Sequence, residues 1–200
     1  MKKLAIATLV MFGAVGTAVA GDPAAGQAKA TTCIACHGAD GNSMIPTFPK
    51  IAGQHADYTA KQLHDFKSGE RHDASMAPMV AGLDDQDIKD LAAFYATQTP
   101  AIGAATDELK AERGEQIFLG GDASKGLSAC MACHGPNGAG IPGAQFPALQ
   151  GQHAAYTIKT LKDFRSGERA NDAGGMMQDI AARMSDSDIE AVAEYIAGLH

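Results

Sequence analysis

Cys33-Ile34-Ala35-Cys36-His37-Gly38 returns as Cys130-Met131-Ala132-Cys133-His134-Gly135, the same pattern of thiols and imidazole 97 residues further along the chain. The agreement spreads outward from it. Phe48-Pro49 recurs as Phe146-Pro147, and Gly53-Gln54-His55-Ala56 as Gly151-Gln152-His153-Ala154, both at a spacing of 98. Asp65-Phe66 and Ser68-Gly69-Glu70-Arg71 match Asp163-Phe164 and Ser166-Gly167-Glu168-Arg169 at that spacing, and Asp87-Ile88 matches Asp188-Ile189 at 101. One unit has been duplicated, with small insertions in its loops. The joint falls around Thr97 to Thr106, where Pro100 and Gly103 break helical continuity. Two domains are expected, over residues 21–100 and 101–200.

Both units read as helical. Ile88, Leu91, Ala92 and Tyr95 stand at i, i+3, i+4, i+7, and Ile189, Val192, Ala193 and Ile196 repeat that stripe in register. Ser185 is a suitable N-cap, and Asp186 and Asp188 favour the positive end of the helix that follows. A middle helix is predicted from Ala56 to Lys67, with Tyr58, Leu63 and Phe66 recurring as Tyr156, Leu161 and Phe164. A short helix is predicted before each cysteine pair. Alternating β-branched runs are missing, so the expected class is all-α with no substantial sheet.

Hydrophobic residues make up 46% of the 200, but many are Ala and Trp is absent. Two halves of this size would build thin cores unless a cofactor filled them. Residues 1–20 have the form of a secretory signal, with Lys2 and Lys3, an apolar run from Leu4 to Val19 and the small-residue site Ala18-Val19-Ala20. Gly13, Gly16 and Thr17 interrupt the run, which is short for a membrane span. The mature chain is therefore expected to start at Gly21 outside the cytoplasm, soluble or at most peripheral to the membrane. Loss of the two lysines takes the formal charge from −7 to −9. Residues 21–100 carry 6 basic and 10 acidic groups, and residues 101–200 carry 8 and 13. Neither half has the basic balance that nucleic acid requires.

All four cysteines sit in Cys-x-x-Cys-His, the attachment signal of c-type haem. Two thiols three positions apart can each add to a vinyl group on one porphyrin edge, and the next residue, His, can then reach the iron. Disulfides would close tiny rings and leave each His unexplained. A thioredoxin-like pair needs a βαβ setting, and a zinc site of four cysteines would have to join pairs separated by 93 residues. The expected covalent anchors are Cys33, Cys36, Cys130 and Cys133, with His37 and His134 as axial ligands of two haem c groups.

For the sixth ligand, the spacing of 101 superposes Met76 on Met177 and no other pair of methionines. Met79 and Met176 are the neighbouring alternatives, and packing is the commoner role of any one Met. His55 and His153 also coincide, so bis-histidine ligation competes with a capping or propionate-contacting role for them. His64, His72 and His200 have no repeat partner and are expected on the surface. Pro49 and Pro147 either offer carbonyls to the Nδ1–H of His37 and His134 or merely stiffen a loop.

At these residues the chain resembles the dihaem cytochrome c4 family over essentially its whole mature length. The two Cys-x-x-Cys-His-Gly units, the Phe-Pro and Gly-Gln-His turns and the Ser-Asp-x-Asp-Ile helix start carry the resemblance. It implies two tandem cytochrome c domains related by an approximate two-fold, with His–Met ligation in both. It also implies a periplasmic carrier, often loosely bound to the membrane, between a respiratory donor complex and a terminal oxidase. The segment from Arg71 to Met76 is three residues shorter than that from Arg169 to Met177. With both axial positions filled, outer-sphere transfer of one electron is the expected chemistry. A dihaem peroxidase would need an iron open to peroxide, and a haem sensor one open to gas ligands.

Overall fold

The structure, a computed structural model, describes residues 20–200, so the expected signal up to residue 19 lies outside the described residues. Five helices occur twice in the same order. The first set is α1 (Pro23–Lys29), α2 (Ile34–His37), α3 (Ala56–Ser68), α4 (Met76–Val80) and α5 (Asp85–Ala96). The second is α6 (Glu108–Gly120), α7 (Met131–His134), α8 (Ala154–Ser166), α9 (Met176–Ala182) and α10 (Asp186–Gly198). The only β features among the described residues are two isolated bridges, Asp122 with Leu127 and Ile141 with Phe146. The fold is all-α, in two tandem domains. The helix preceding the second cysteine pair, α6, has 13 residues and is longer than the short one expected.

The apolar stripes read from the sequence form the cores. Ile88, Leu91, Ala92 and Tyr95 of α5 are buried, as are Ile189, Val192, Ala193 and Ile196 of α10. In the second domain they pack with Ile117, Phe118, Leu127, Leu161 and Met184. The corresponding cluster in the first domain is smaller: Ala30, Leu91, Phe94 and Tyr95. Burying one such large side chain contributes about 1.5–3 kcal/mol, so the second domain holds more apolar stabilisation of its own.

Both last helices start on capping boxes, Asp84 with Asp87 and Ser185 with Asp188. Each box satisfies backbone N–H groups that a first helical turn leaves open. The first and last helices of each domain cross at a glycine. Gly26 of α1 lies against the Asp90 carbonyl, and Gly114 of α6 against that of Ala191, too close for a Cβ at either position. A buried carboxylate ties each crossing. Asp90 binds the Asp22 N–H and Lys29 at 2.9 and 2.7 Å, and Asp188 pairs with Arg113 of α6 at 3.6 Å and accepts from Lys125 just beyond that helix. The Asp22 N–H, Lys29 and Gln86 bring the Asp90 carboxyl down to about 2. Burial opposes ionisation of Asp188, yet Lys125 and Ser185 also bring it to about 2.

The two domains meet through reciprocal contacts, as an approximate two-fold demands. The Gln54 side chain donates to the Ala148 carbonyl and accepts from its N–H, at 2.9 and 3.0 Å. Gln152 does the same to Lys50, at 2.8 and 2.9 Å. Arg71 donates to the Tyr156 hydroxyl and Arg169 to that of Tyr58, both at 3.0 Å. Each guanidinium also stacks on a phenylalanine of its own domain, Phe66 or Phe164. The symmetry stops at Gln62, Asp65 and Asn171. Asn171 donates to Gln62 and Asp65 across the seam, an addition to the lysine pair that Asp65 and its repeat partner Asp163 both make within their own helices, with Lys61 and Lys159.

Candidate functional site

In each domain a single short helix sets the cysteines and the histidine. The Cys33 carbonyl accepts from the N–H groups of Cys36 and His37, and Cys130 repeats this with Cys133 and His134. One turn of helix therefore presents both thiols and then the imidazole. Gly38 and Gly135 end these turns at φ of 81° and 77°, a conformation that favours glycine and explains the last residue of each motif. All four cysteines are partly exposed, with no disulfide among them.

His37 and His134 are buried. The Nδ1 of His37 meets the Pro49 carbonyl at 2.9 Å, and that of His134 meets the Pro147 carbonyl at 3.0 Å. A carbonyl only accepts, so Nδ1 carries the proton and Nε2 keeps its lone pair. Burial lowers the pKa of both rings, against a smaller opposing effect of the proline carbonyls. Both are thus neutral bases oriented for a metal. Of the two readings open for Pro49 and Pro147, the carbonyl-acceptor one holds.

Met76 is the first residue of α4 and Met177 the second of α9, which opens on Met176; Met76 and Met177 are both half-buried. Met177 packs on the core of the second domain. Their neighbours Met79 and Met176 are 47% and 45% exposed. An aspartate that sequence reading missed anchors each backbone. Asp73 accepts from the Met76 N–H at 3.1 Å, and Asp172 from the Met177 N–H at 2.7 Å. The longer loop of the second domain is taken up between these anchors, where Gly174 and Gly175 adopt left-handed conformations. The anchor thus keeps its place on the methionine although the lengths differ.

His55 and His153 precede α3 and α8, but neither side chain caps its helix. His153 instead reaches across the seam, its Nε2 2.8 Å from the Ser43 carbonyl. This cross-domain role is a correction to the capping reading. His64, His72 and His200 are exposed.

The residues present fit a haem. Each domain offers two thiols and a neutral imidazole from one turn, beside half-buried apolar side chains: Ile51, Leu63 and Leu83 in the first domain, Leu149, Ile158 and Ile180 in the second. In the first domain, the buried Nε2 of His55 and Oγ1 of Thr59 have no partner among the described residues. Such groups are costly unless something polar meets them, which the carboxylate edge of a porphyrin would do. Burial is also the chief reason that the Tyr95 hydroxyl resists ionisation.

Comparison with known proteins agrees. The family model for cytochrome c matches residues 23–99 and again 111–200. The chain is 50% identical to the cytochrome c4 of Pseudomonas aeruginosa over the full length of both. A crystal structure of reduced recombinant cytochrome c4 from Pseudomonas stutzeri superposes with a TM-score of 0.88 at 48% identity, covering 90% of this chain and all of that one. A thiosulfate dehydrogenase electron acceptor of Thiomonas intermedia is 39% identical over 97% of this chain and 89% of its own.

Proposed function

The chain belongs to the dihaem cytochrome c4 family, and on that premise we propose that Cys33, Cys36 and His37 hold one haem and Cys130, Cys133 and His134 the other. The protein carries two covalently attached haem c groups and works as an electron carrier. Met76 and Met177 would supply the second protein ligand to each iron. The observation that carries the assignment is the repeated His Nδ1–H bond to a proline carbonyl, which leaves both Nε2 atoms as ligands. Domains divide at residues 100 and 101, and the mature chain begins at Gly21.

The haem iron supplies one-electron chemistry, and the chain's residues restrict it to that. His37 and His134, with their rings oriented by the Pro49 and Pro147 carbonyls, would each hold a haem iron through Nε2. Met76 and Met177, whose backbone N–H groups are held by Asp73 and Asp172, would supply a thioether to each iron, which would favour the reduced state relative to a second histidine. The reciprocal glutamine and arginine contacts keep the two domains in one arrangement, so an electron accepted by either can be shared inside the molecule. We place the carrier in the periplasm, between a respiratory donor complex and a terminal oxidase, at most peripherally bound to the membrane. No helix among the described residues is long and apolar enough to cross a membrane. A second donor class is favoured by the kinship to thiosulfate dehydrogenase electron acceptors: a dehydrogenase that oxidises a reduced sulfur compound.

The assignment is tested on the purified holoprotein. Two haems per chain are expected, low-spin when oxidised, with the weak far-red band of methionine coordination. Met177→Ala and Met76→Ala each remove about half of that band and lower one potential. Met176→Ala and Met79→Ala leave both unchanged. One haem per chain, or an iron that takes up cyanide rapidly at rest, overturns the reading.

A further inference from the structure

Two peptide groups are bonded at both ends, once within their own domain and once across the seam. The first joins Pro49 to Lys50. Its carbonyl accepts from the Nδ1–H of His37 at 2.9 Å, and its N–H donates to the Gln152 Oε1 of the other domain at 2.9 Å. The second joins Pro147 to Ala148. Its carbonyl accepts from the Nδ1–H of His134 at 3.0 Å, and its N–H donates to the Gln54 Oε1 at 3.0 Å. The same amide therefore holds the axial histidine of one domain and the glutamine of the other.

Neither glutamine is free to turn elsewhere. Each Oε1 also accepts from the next backbone N–H, that of His55 or His153, at 3.0 Å. Each Nε2 donates to the carbonyl that follows, that of Ala148 or Lys50. The carboxamide is thus held on the peptide it serves by both of its polar atoms. An amide whose N–H is bonded has a more negative carbonyl oxygen, because hydrogen bonds in a chain polarise one another. A more negative oxygen draws the Nδ1 proton harder, and a histidine so held is a stronger donor to its metal. A stronger donor stabilises the oxidised iron.

We infer that each domain sets the reduction potential of the other's haem through this single peptide group, with Gln152 acting on His37 and Gln54 on His134 as positioning residues. The inference rests on the assignment of those histidines as axial ligands. It gives the duplicated Gly-Gln-His turn a role that neither domain could fill for itself. It also couples the potentials to the docking of the two domains.

The test is redox titration of the full-length holoprotein, with the two haems assigned by proton NMR contacts to residues of each domain. Gln152→Leu should make the haem of the first domain easier to reduce by about two- to five-fold, roughly 20–40 mV at 59 mV per tenfold. The haem of the second domain should stay in place. Gln54→Leu should do the converse. Tyr156→Phe, which removes a cross-domain hydrogen bond without touching either amide, should move neither selectively. The 15N shift of the histidine Nδ1 in the opposite domain should follow the potential. If either leucine variant fails to retain haem, Gln→Asn, one methylene short of its amide, carries the same prediction. Unmoved potentials, or a shift in the glutamine's own domain, overturn the relay while both haems remain His-ligated. Loss of histidine ligation in the unaltered protein would overturn the earlier assignment instead.

Discussion

Gly114→Ala should destabilise the second domain even though alanine is the better helix former. In α6 the exchange favours the helix by about 1 kcal/mol through backbone entropy. Against this stands the crossing with α10. A Cβ at residue 114 would lie nearer to the Ala191 carbonyl oxygen than the 3.0 Å that real Cβ contacts keep, and it would also press on the Tyr195 Cβ. The obstacle is backbone in the middle of α10, so the helices must separate. That movement loosens Ile117 and Phe118 from Ile189 and Val192, all at most 2% exposed. Overpacking of this kind costs about 1–3 kcal/mol and sometimes more, and partial loss of those contacts adds to it. The net expectation is a loss of about 1–3 kcal/mol, or a fall in Tm of about 5–20 °C for a domain near 100 residues. Gly120→Ala, six residues on, is the internal control. It lies in the same helix, is exposed, and would meet nothing within 4 Å. There the entropic gain stands alone, and a rise of about 0.4–1 kcal/mol is expected. Far-UV circular dichroism of the two holoproteins during thermal unfolding measures both. Equal signs for the two variants, or a Gly114→Ala protein as stable as its parent, would refute the close crossing.

Charge and core size govern three further outcomes. The carboxyls of Asp90 and Asp188 lie near 2 when folded and near 3.9 when unfolded, so their stabilisation is present above about pH 4 and is lost as pH falls through about 2. Asp188→Asn should cost about 1–2 kcal/mol at pH 7 and much less at pH 2, as read by guanidinium unfolding at both values. Tyr156 is half-buried between the domains, which opposes ionisation, but Arg71 and Arg169 bring its hydroxyl down to about 8. Since the unfolded value is near 10, stability should rise between pH 8 and 10 and be lost as pH falls through 8. In NMR with 13C-labelled tyrosine, one of the four resonances should titrate near 8 and vanish in Tyr156→Phe. Removal of haem attachment should not affect the domains alike. Cys33→Ala with Cys36→Ala should melt the first domain, whose buried cluster is small, whereas Cys130→Ala with Cys133→Ala should leave α6 and α10 largely helical on circular dichroism.

The fold was legible because two periodicities agreed. The residue stripe of a helix and the 97–101 residue repeat of the chain selected the same side chains, and each stripe position is buried. The histidines proposed as axial ligands were legible from adjacency to the cysteines. The proposed methionines were legible only through register, and the physical reason for that register, a backbone bond from Asp73 or Asp172, was hidden by unequal loops. Asp73 lies three residues before its methionine and Asp172 five, so no fixed spacing reveals them.

The seam between the domains was the least legible feature, and duplication is the reason. A repeat match states that two positions have the same surroundings; it does not state whether those surroundings belong to the same domain or to the other one. Gln54 and Gln152, or Arg71 and Arg169, stand out in the sequence as strongly as Ile88 and Ile189 do. The isoleucines are buried in the cores of their own domains, whereas the glutamines and arginines reach the opposite one. Under a two-fold both arrangements give the same repeat. The breaks in the repeat are what carry the distinction. Asp65 and Asp163 are a matched pair, each joined to a lysine one turn earlier on its own helix, Lys61 or Lys159, yet only Asp65 is buried and accepts from Asn171 across the seam. The added partner of Asp65 comes from the other domain, so its unequal burial records contact between the units. The departure at Asp65 thus places α3 on the shared face more firmly than any of the agreements do.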